Sequence, residues 1–145
     1  MTDELGTSTY GFDHVGLSVR DLAGTRKFFC DCLGWRVVGE RPDYPAAFVS
    51  DGRGVVTLWQ VESPDKAIAF DRRANVGLHH LAVAVVDQAG LDALFKRVSS
   101  WPDVVVEFGP QALVSFCTED HAGNDAVATV SAEALLPGAF SFRPA

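Results

Sequence analysis

At 145 residues, with 48% hydrophobic and 21% charged side chains, the chain has the size and composition of one compact globular domain able to bury a core. A formal net charge of −7, with no basic stripe, argues against a nucleic-acid partner. Met1 to Tyr10 is polar and carries Asp3 and Glu4, unlike a secretory leader. No apolar run nears the roughly 20 residues that span a bilayer, so a cytoplasmic protein without membrane contact is expected.

In chain order, residues 12–19 alternate as a strand, with His14, Gly16 and Ser18 on one face and Val15, Leu17 and Val19 on the other. Asp21 suits a helix N-cap. Leu22, Phe28, Phe29 and Leu33 follow as a helical apolar stripe that stops at Gly34. Trp35 to Glu40 reads as a second strand and Ala46 to Ser50 as a third. The chain turns at Asp51-Gly52, and Val55 to Val61 is the fourth strand. Residues 62–77 contain Pro64 and scattered charges with little periodicity, and so form a linker.

The second half repeats this plan. A strand over 78–86 leads into a helix carrying Leu91, Leu94, Phe95 and Val98; short strands follow near 104–108, 113–118 and 126–131. The tail over 132–145 contains Pro137, Gly138 and Pro144 and reads as irregular. Cys30, Cys32 and Cys117 make an odd count with no zinc-like spacing and read as reduced thiols.

The repetition extends to individual residues. Asp13-His14-Val15-Gly16-Leu17-Ser18-Val19-Arg20-Asp21 returns as His79-His80-Leu81-Ala82-Val83-Ala84-Val85-Val86-Asp87, an offset of 66 residues (14 to 80). Each half is therefore a βαβββ module, over 11–61 and 78–131, and one such module leaves an apolar sheet face open. Pairing the two predicts an α+β fold: one eight-stranded, cup-shaped sheet with helices outside. By pseudo-symmetry the first strands of the halves become neighbours, and His14 and His80 look into one cavity.

These segments, together with Phe28-Phe29, Leu33-Gly34-Trp35 and Asp120-His121-Ala122-Gly123-Asn124, resemble the vicinal oxygen chelate superfamily. That group includes glyoxalase I, extradiol dioxygenases and bleomycin-binding resistance proteins. The resemblance implies homodimers and, in metal-dependent members, a divalent ion held by a His from each half's first strand and a carboxylate from each half's last. His14 and His80 match the first pair. The carboxylate positions fall on Thr57 and Val127, which do not match. Gln60 has an amide oxygen, but strand alternation sets it opposite Thr57. Zinc, iron, manganese or nickel would thus meet an incomplete site.

Three roles stay open for His14 and His80: hydrogen-bonding groups that help hold a ligand, metal ligands, or metal-free acid–base catalysts. Trp59 shares the Thr57 face, and Phe48 on the third strand can join it, giving an aromatic wall suited to a flat ligand. His79, on the opposite strand face, reads as structural, and His121 as a solvated turn residue. The resulting reading is a glyoxalase-like lyase, isomerase or dioxygenase acting on a small oxygenated organic molecule in the cup. The alternative is a non-catalytic protein that sequesters an aromatic antibiotic or natural product.

Overall fold

Strand β1, His14–Val19, alternates as its sequence requires: His14, Gly16 and Ser18 are exposed, Val15 and Leu17 half-buried, and Val19 buried. The computed structural model describes residues 6, 8–9, 11–68, 74, 76–78, 81–85, 87–102, 104–106, 113–119, 125–131 and 139–144; at 82, 84, 88 and from 104 onward the description is of the backbone. His79, His80, His121, Asp120 and Asn124 lie outside the described residues.

Asp21 caps α1, Leu22–Lys27. Its backbone is extended (φ −120°), and its Oδ1 accepts the Gly24 N–H at 3.0 Å. Asp87 caps α2, Gln88–Ser99, in the same way, accepting the Gly90 N–H at 2.7 Å. The repeat visible in the sequence thus includes the turn chemistry that starts each helix.

The C-terminal end of α1 widens into a π-helical turn, Phe28–Cys32, where the Leu33 N–H reaches back five residues to the Phe28 carbonyl at 3.1 Å. A regular helix would set Phe28 and Leu33 about 140° apart; the wider turn brings them onto one face. This explains how Phe28 and Leu33, five residues apart, belong to one apolar stripe. Gly34 ends the turn at φ +78°, a conformation that suits glycine, and the Trp35 N–H closes on the Phe29 carbonyl at 2.9 Å.

The first sheet has the order β1-β4-β3-β2, with β2 Arg36–Arg41, β3 Ala46–Ser50 and β4 Val55–Gln60. β1 and β4 run parallel from His14↔Val55 to Val19↔Gln60, and the other pairs are antiparallel. Between β3 and β4, Asp51 Oδ1 accepts the N–H groups of Arg53 and Gly54, each at 2.8 Å, as the Asp-Gly turn signal predicts.

One face of this sheet forms the core. Val19, Val49, Val56 and Leu58 pack with Phe28, Phe29 and Cys32, and also with Leu91, Leu94 and Val98 of α2. Phe28 meets Phe29 and Trp101 edge-on at centroid distances of 6.0 and 6.2 Å, and Phe29 meets Trp35 at 5.2 Å. A helix from the second half therefore completes the core of the first. Each such large apolar side chain contributes about 1.5–3 kcal/mol on burial. The opposite face of the sheet carries His14, Gly16 and Ser18.

The second sheet departs from the expected plan. Its strands are β5 Leu81–Ala84, β6 Val104–Val106, β7 Leu113–Glu119, β8 Asp125–Ser131 and β9 Ala139–Pro144, in the order β5-β9-β8-β7-β6. The tail expected to be irregular supplies β9, which pairs antiparallel with both β5 and β8. The fold is α+β, but its described strands form a four-stranded and a five-stranded sheet rather than one sheet of eight. The physical reason is that β9 takes the hydrogen-bonding edge of β8 that β5 would need to copy the β1–β4 pairing. No described helix is long and apolar enough to cross a membrane.

Candidate functional site

The face of the first sheet turned away from the helices carries His14, Gly16 and Ser18 from β1, Thr57 and Trp59 from β4, and Phe48 from β3. Register aligns Gly16 with Thr57, Thr57 with Phe48, and Phe48 with Gly39 of β2. The Trp59 indole N–H donates to Thr57 Oγ1 at 2.9 Å, so these two residues share the face that their two-residue spacing predicts. Phe48 joins them, its ring centroid 5.7 Å from that of Trp59.

Two glycines make room for this aromatic layer. A Cβ at Gly39 would lie 2.8 Å from the Phe48 ring, and one at Gly16 would lie 3.2 Å from Thr57 Oγ1 and 3.7 Å from the Trp59 indole nitrogen. Their bare backbones let the aromatic side chains lie close to the sheet. Tyr44, in the turn between β2 and β3, adds a further ring 5.0 Å from Trp59 although it is 59% exposed. Sequence reasoning missed Tyr44 because turn geometry, rather than strand period, places it. The result is a shelf of Phe48, Trp59 and Tyr44 beside β1.

At the start of β1, His14 Nδ1 lies 2.7 Å from Asp13 Oδ2, with the His14 side chain 55% exposed. A hydrogen bond donated by Nδ1 to the carboxylate fixes the ring tautomer and leaves Nε2 as the basic atom. At this exposure the pair matters for orientation rather than for stability. Asp13, part of the repeated sequence motif, is thus the hydrogen-bond partner of His14.

Gln60, the possible third ligand of the expected metal site, lies on the helix side of the sheet with its amide engaged. Gln60 Oε1 accepts the Leu22 N–H at 2.7 Å, and Nε2 donates to the Arg20 carbonyl. Leu22 is the first residue of α1, so Gln60 satisfies one of the N–H groups that a helix start leaves without an intrahelical partner. An open groove of about 680 Å³ adjoins it, lined in part by Arg26, Cys30, Asp31 and Val37, on the side of the sheet away from His14.

The remaining donors can be tested against a metal. Thr57 is buried, and its oxygen accepts the indole N–H while the hydroxyl faces the Val15 carbonyl at 3.5 Å. Val127, in β8, has no donor atom in its side chain. Among the described residues no three His, Cys, Asp or Glu side chains gather to hold an ion. A catalytic ion normally takes three protein ligands. Of the two expected histidine ligands, His14 is described and His80 lies outside the described residues.

A deep Cys32 completes the electrostatic picture on the helix side. Burial pushes its thiol up from 9.0 to about 11, partly opposed by the nearby Arg97 charge.

Residues 11–124 match the family model described as Glyoxalase/Bleomycin resistance protein/Dioxygenase superfamily. The chain belongs to this superfamily. It is the vicinal oxygen chelate group that the duplicated motif resembles. Among curated relatives, a glyoxalase/dioxygenase superfamily match is catechol-2,3-dioxygenase of Bacillus subtilis (strain 168), 27% identical over 95 residues, covering 63% of this chain and 32% of that protein. The chain thus spans about a third of the length of that relative. Two solved structures share the superfamily fold. Lactoylglutathione lyase from Agrobacterium tumefaciens is 23% identical, covering 83% of this chain and 93% of the other, with a TM-score of 0.55. A possible glyoxalase from Bacillus cereus is 22% identical, covering 79% and 94%, with a TM-score of 0.54.

Proposed function

We propose that the protein is a glyoxalase-like enzyme that moves a proton on a small oxygenated organic molecule held against the aromatic shelf. The observation that carries this reading is the 2.7 Å contact between Asp13 and His14 at the edge of that shelf. Asp13 orients the imidazole, and Nε2 takes a proton from carbon or oxygen next to a polarised carbonyl and then returns it. Imidazole suits both halves of such a transfer near neutral pH. Trp59 and Phe48 supply apolar surface, and Thr57 holds the indole in place. His80, which stands at the equivalent place in the sequence repeat, is the second proton-transfer group in this reading. Closure of the two halves around one cavity, cytoplasmic residence and assembly as a homodimer belong to the same proposal.

The transfer needs a carbonyl beside an ionisable C–H or O–H, and the name of the curated relative points to an oxygen-bearing aromatic compound, so an aromatic α-hydroxyketone is the first substrate class to try. The test is turnover of a panel of aromatic α-hydroxyketones by the wild-type protein and by His14→Ala. At least one compound should be converted, with a rate that falls about 10²–10⁴-fold in the variant, the range general acid–base catalysis supplies. Unchanged turnover in His14→Ala would remove His14 from the mechanism.

A further inference from the structure

Strand β2 brings positive charge to the aromatic shelf. Glu40 pairs with Arg26 of α1 at 2.5 Å, which fixes the Glu40 side chain on the helix side of the sheet. Its neighbours Gly39 and Arg41 therefore belong to the opposite face, and the close approach of Phe48 to Gly39 agrees. In the register, Arg41 pairs with Ala46, Ala46 with Trp59, and Trp59 with Ser18, so Arg41 and Trp59 share one row across the sheet. Arg36, on the same strand, shares the row of Ser50, Val55 and His14. Both arginines are exposed, and neither has a carboxylate partner among the described residues, in a chain whose net charge is −7.

The shelf itself has little polarity to offer a ligand. The Trp59 N–H is engaged by Thr57, so Trp59 presents ring carbon, and Tyr44 and Phe48 flank it. Two strand spacings separate Arg41 from Trp59, about 9.5 Å between backbones, within reach of an arginine and a ring laid between them. Along the strand, the Trp59 and His14 rows are four residues apart, roughly 13 Å. A guanidinium at one end, a ring surface in the middle and an imidazole at the other end match a particular kind of molecule.

We propose that the site selects a planar, two-ring aryl carboxylate, with its rings on Tyr44 and Trp59 and its carboxylate on Arg41. This deepens the reading above, on which it rests, by naming the charge and shape of the substrate. Arg41 accepts no proton and breaks no bond; it is a specificity residue that forms a charge-assisted hydrogen bond to the acid. Tyr44 is a second specificity residue, acting through ring contact.

The experiment is calorimetric titration of the full chain with 2-naphthoate and with its neutral counterpart 2-naphthamide. The acid should bind at least 10-fold more tightly than the amide. Arg41→Ala and Arg41→Gln should both abolish that preference by weakening the acid alone, while Tyr44→Ala should weaken acid and amide alike. Equal binding of the two probes by the wild-type protein, or a preference that survives both Arg41 substitutions, would overturn the assignment. So would failure of the acid to bind. None of these results would restore turnover to His14→Ala, so the proton-transfer reading stands or falls separately.

Discussion

Replacing Gln60 by leucine isolates what that side chain does. In the folded protein its amide joins two elements: Oε1 accepts the Leu22 N–H at the start of α1, and Nε2 donates to the Arg20 carbonyl at the end of β1. Leucine keeps most of the volume and removes both bonds. Each intramolecular hydrogen bond contributes a net of about 0.5–1.5 kcal/mol, and stranding a buried partner costs about 1–3 kcal/mol. Gln60 is half-buried, so its partners recover some solvation, and the lower part of those ranges applies. Two bonds then give a loss of about 2–3 kcal/mol. For a chain of this size that corresponds to a fall of about 5–10 °C in Tm. Urea denaturation followed by far-UV circular dichroism, with a thermal scan alongside, measures it. The m-value should hold, because the surface exposed on unfolding is unchanged. A loss below about 0.5 kcal/mol would refute the fastening role. A stable variant that had instead lost affinity for zinc or nickel would restore Gln60 as a ligand.

Two further outcomes are expected. Cys32 ionises in the unfolded chain near its ordinary 9.0 and in the folded protein at about 11, so the unfolded state releases its proton first as pH rises. Its full contribution to stability is present below pH 9 and is lost between about 9 and 11, on the order of 2–3 kcal/mol in all. Cys32→Ala should therefore flatten the decline in urea-measured stability across that window relative to wild type; an identical slope would contradict the role of burial. Extended dialysis against EDTA should leave any turnover intact if His14 moves the proton without an ion, as proposed. Loss of activity that a single divalent ion restores would show that His14 gains ligands outside the described residues.

The strands of the first half were legible because burial repeats every second residue: His14, Gly16 and Ser18 against Val15, Leu17 and Val19. The same period correctly set Trp59 with Thr57 and Gln60 opposite, since residues two and three apart on a strand fall on like and unlike faces. What Gln60 binds was not legible, because Leu22 and Arg20 reach it only when α1 docks on the sheet. Tyr44 and the Asp13 contact depend on turn geometry and on a side-chain rotamer, neither of which has a period. In the tail, Pro137, Gly138 and Pro144 dominated the reading. Yet Phe140 and Phe142 alternate with Ala139, Ser141 and Arg143 as a strand should, and Pro144 stands at its last position, where a missing N–H is tolerated.

The place of β9 also bears on how the chain is made. Every strand of the first sheet lies within residues 14–60, so its ladder can form soon after those residues leave the ribosome. β5 has to wait for β9, as Leu81 pairs with Phe142 and Ala84 with Ala139. At typical rates of synthesis the roughly 60 intervening residues take on the order of 3–12 s. Throughout that interval the nascent chain displays β5 as an unpaired ribbon beside a sheet already built, and a neighbouring chain on the same message offers it a competing partner.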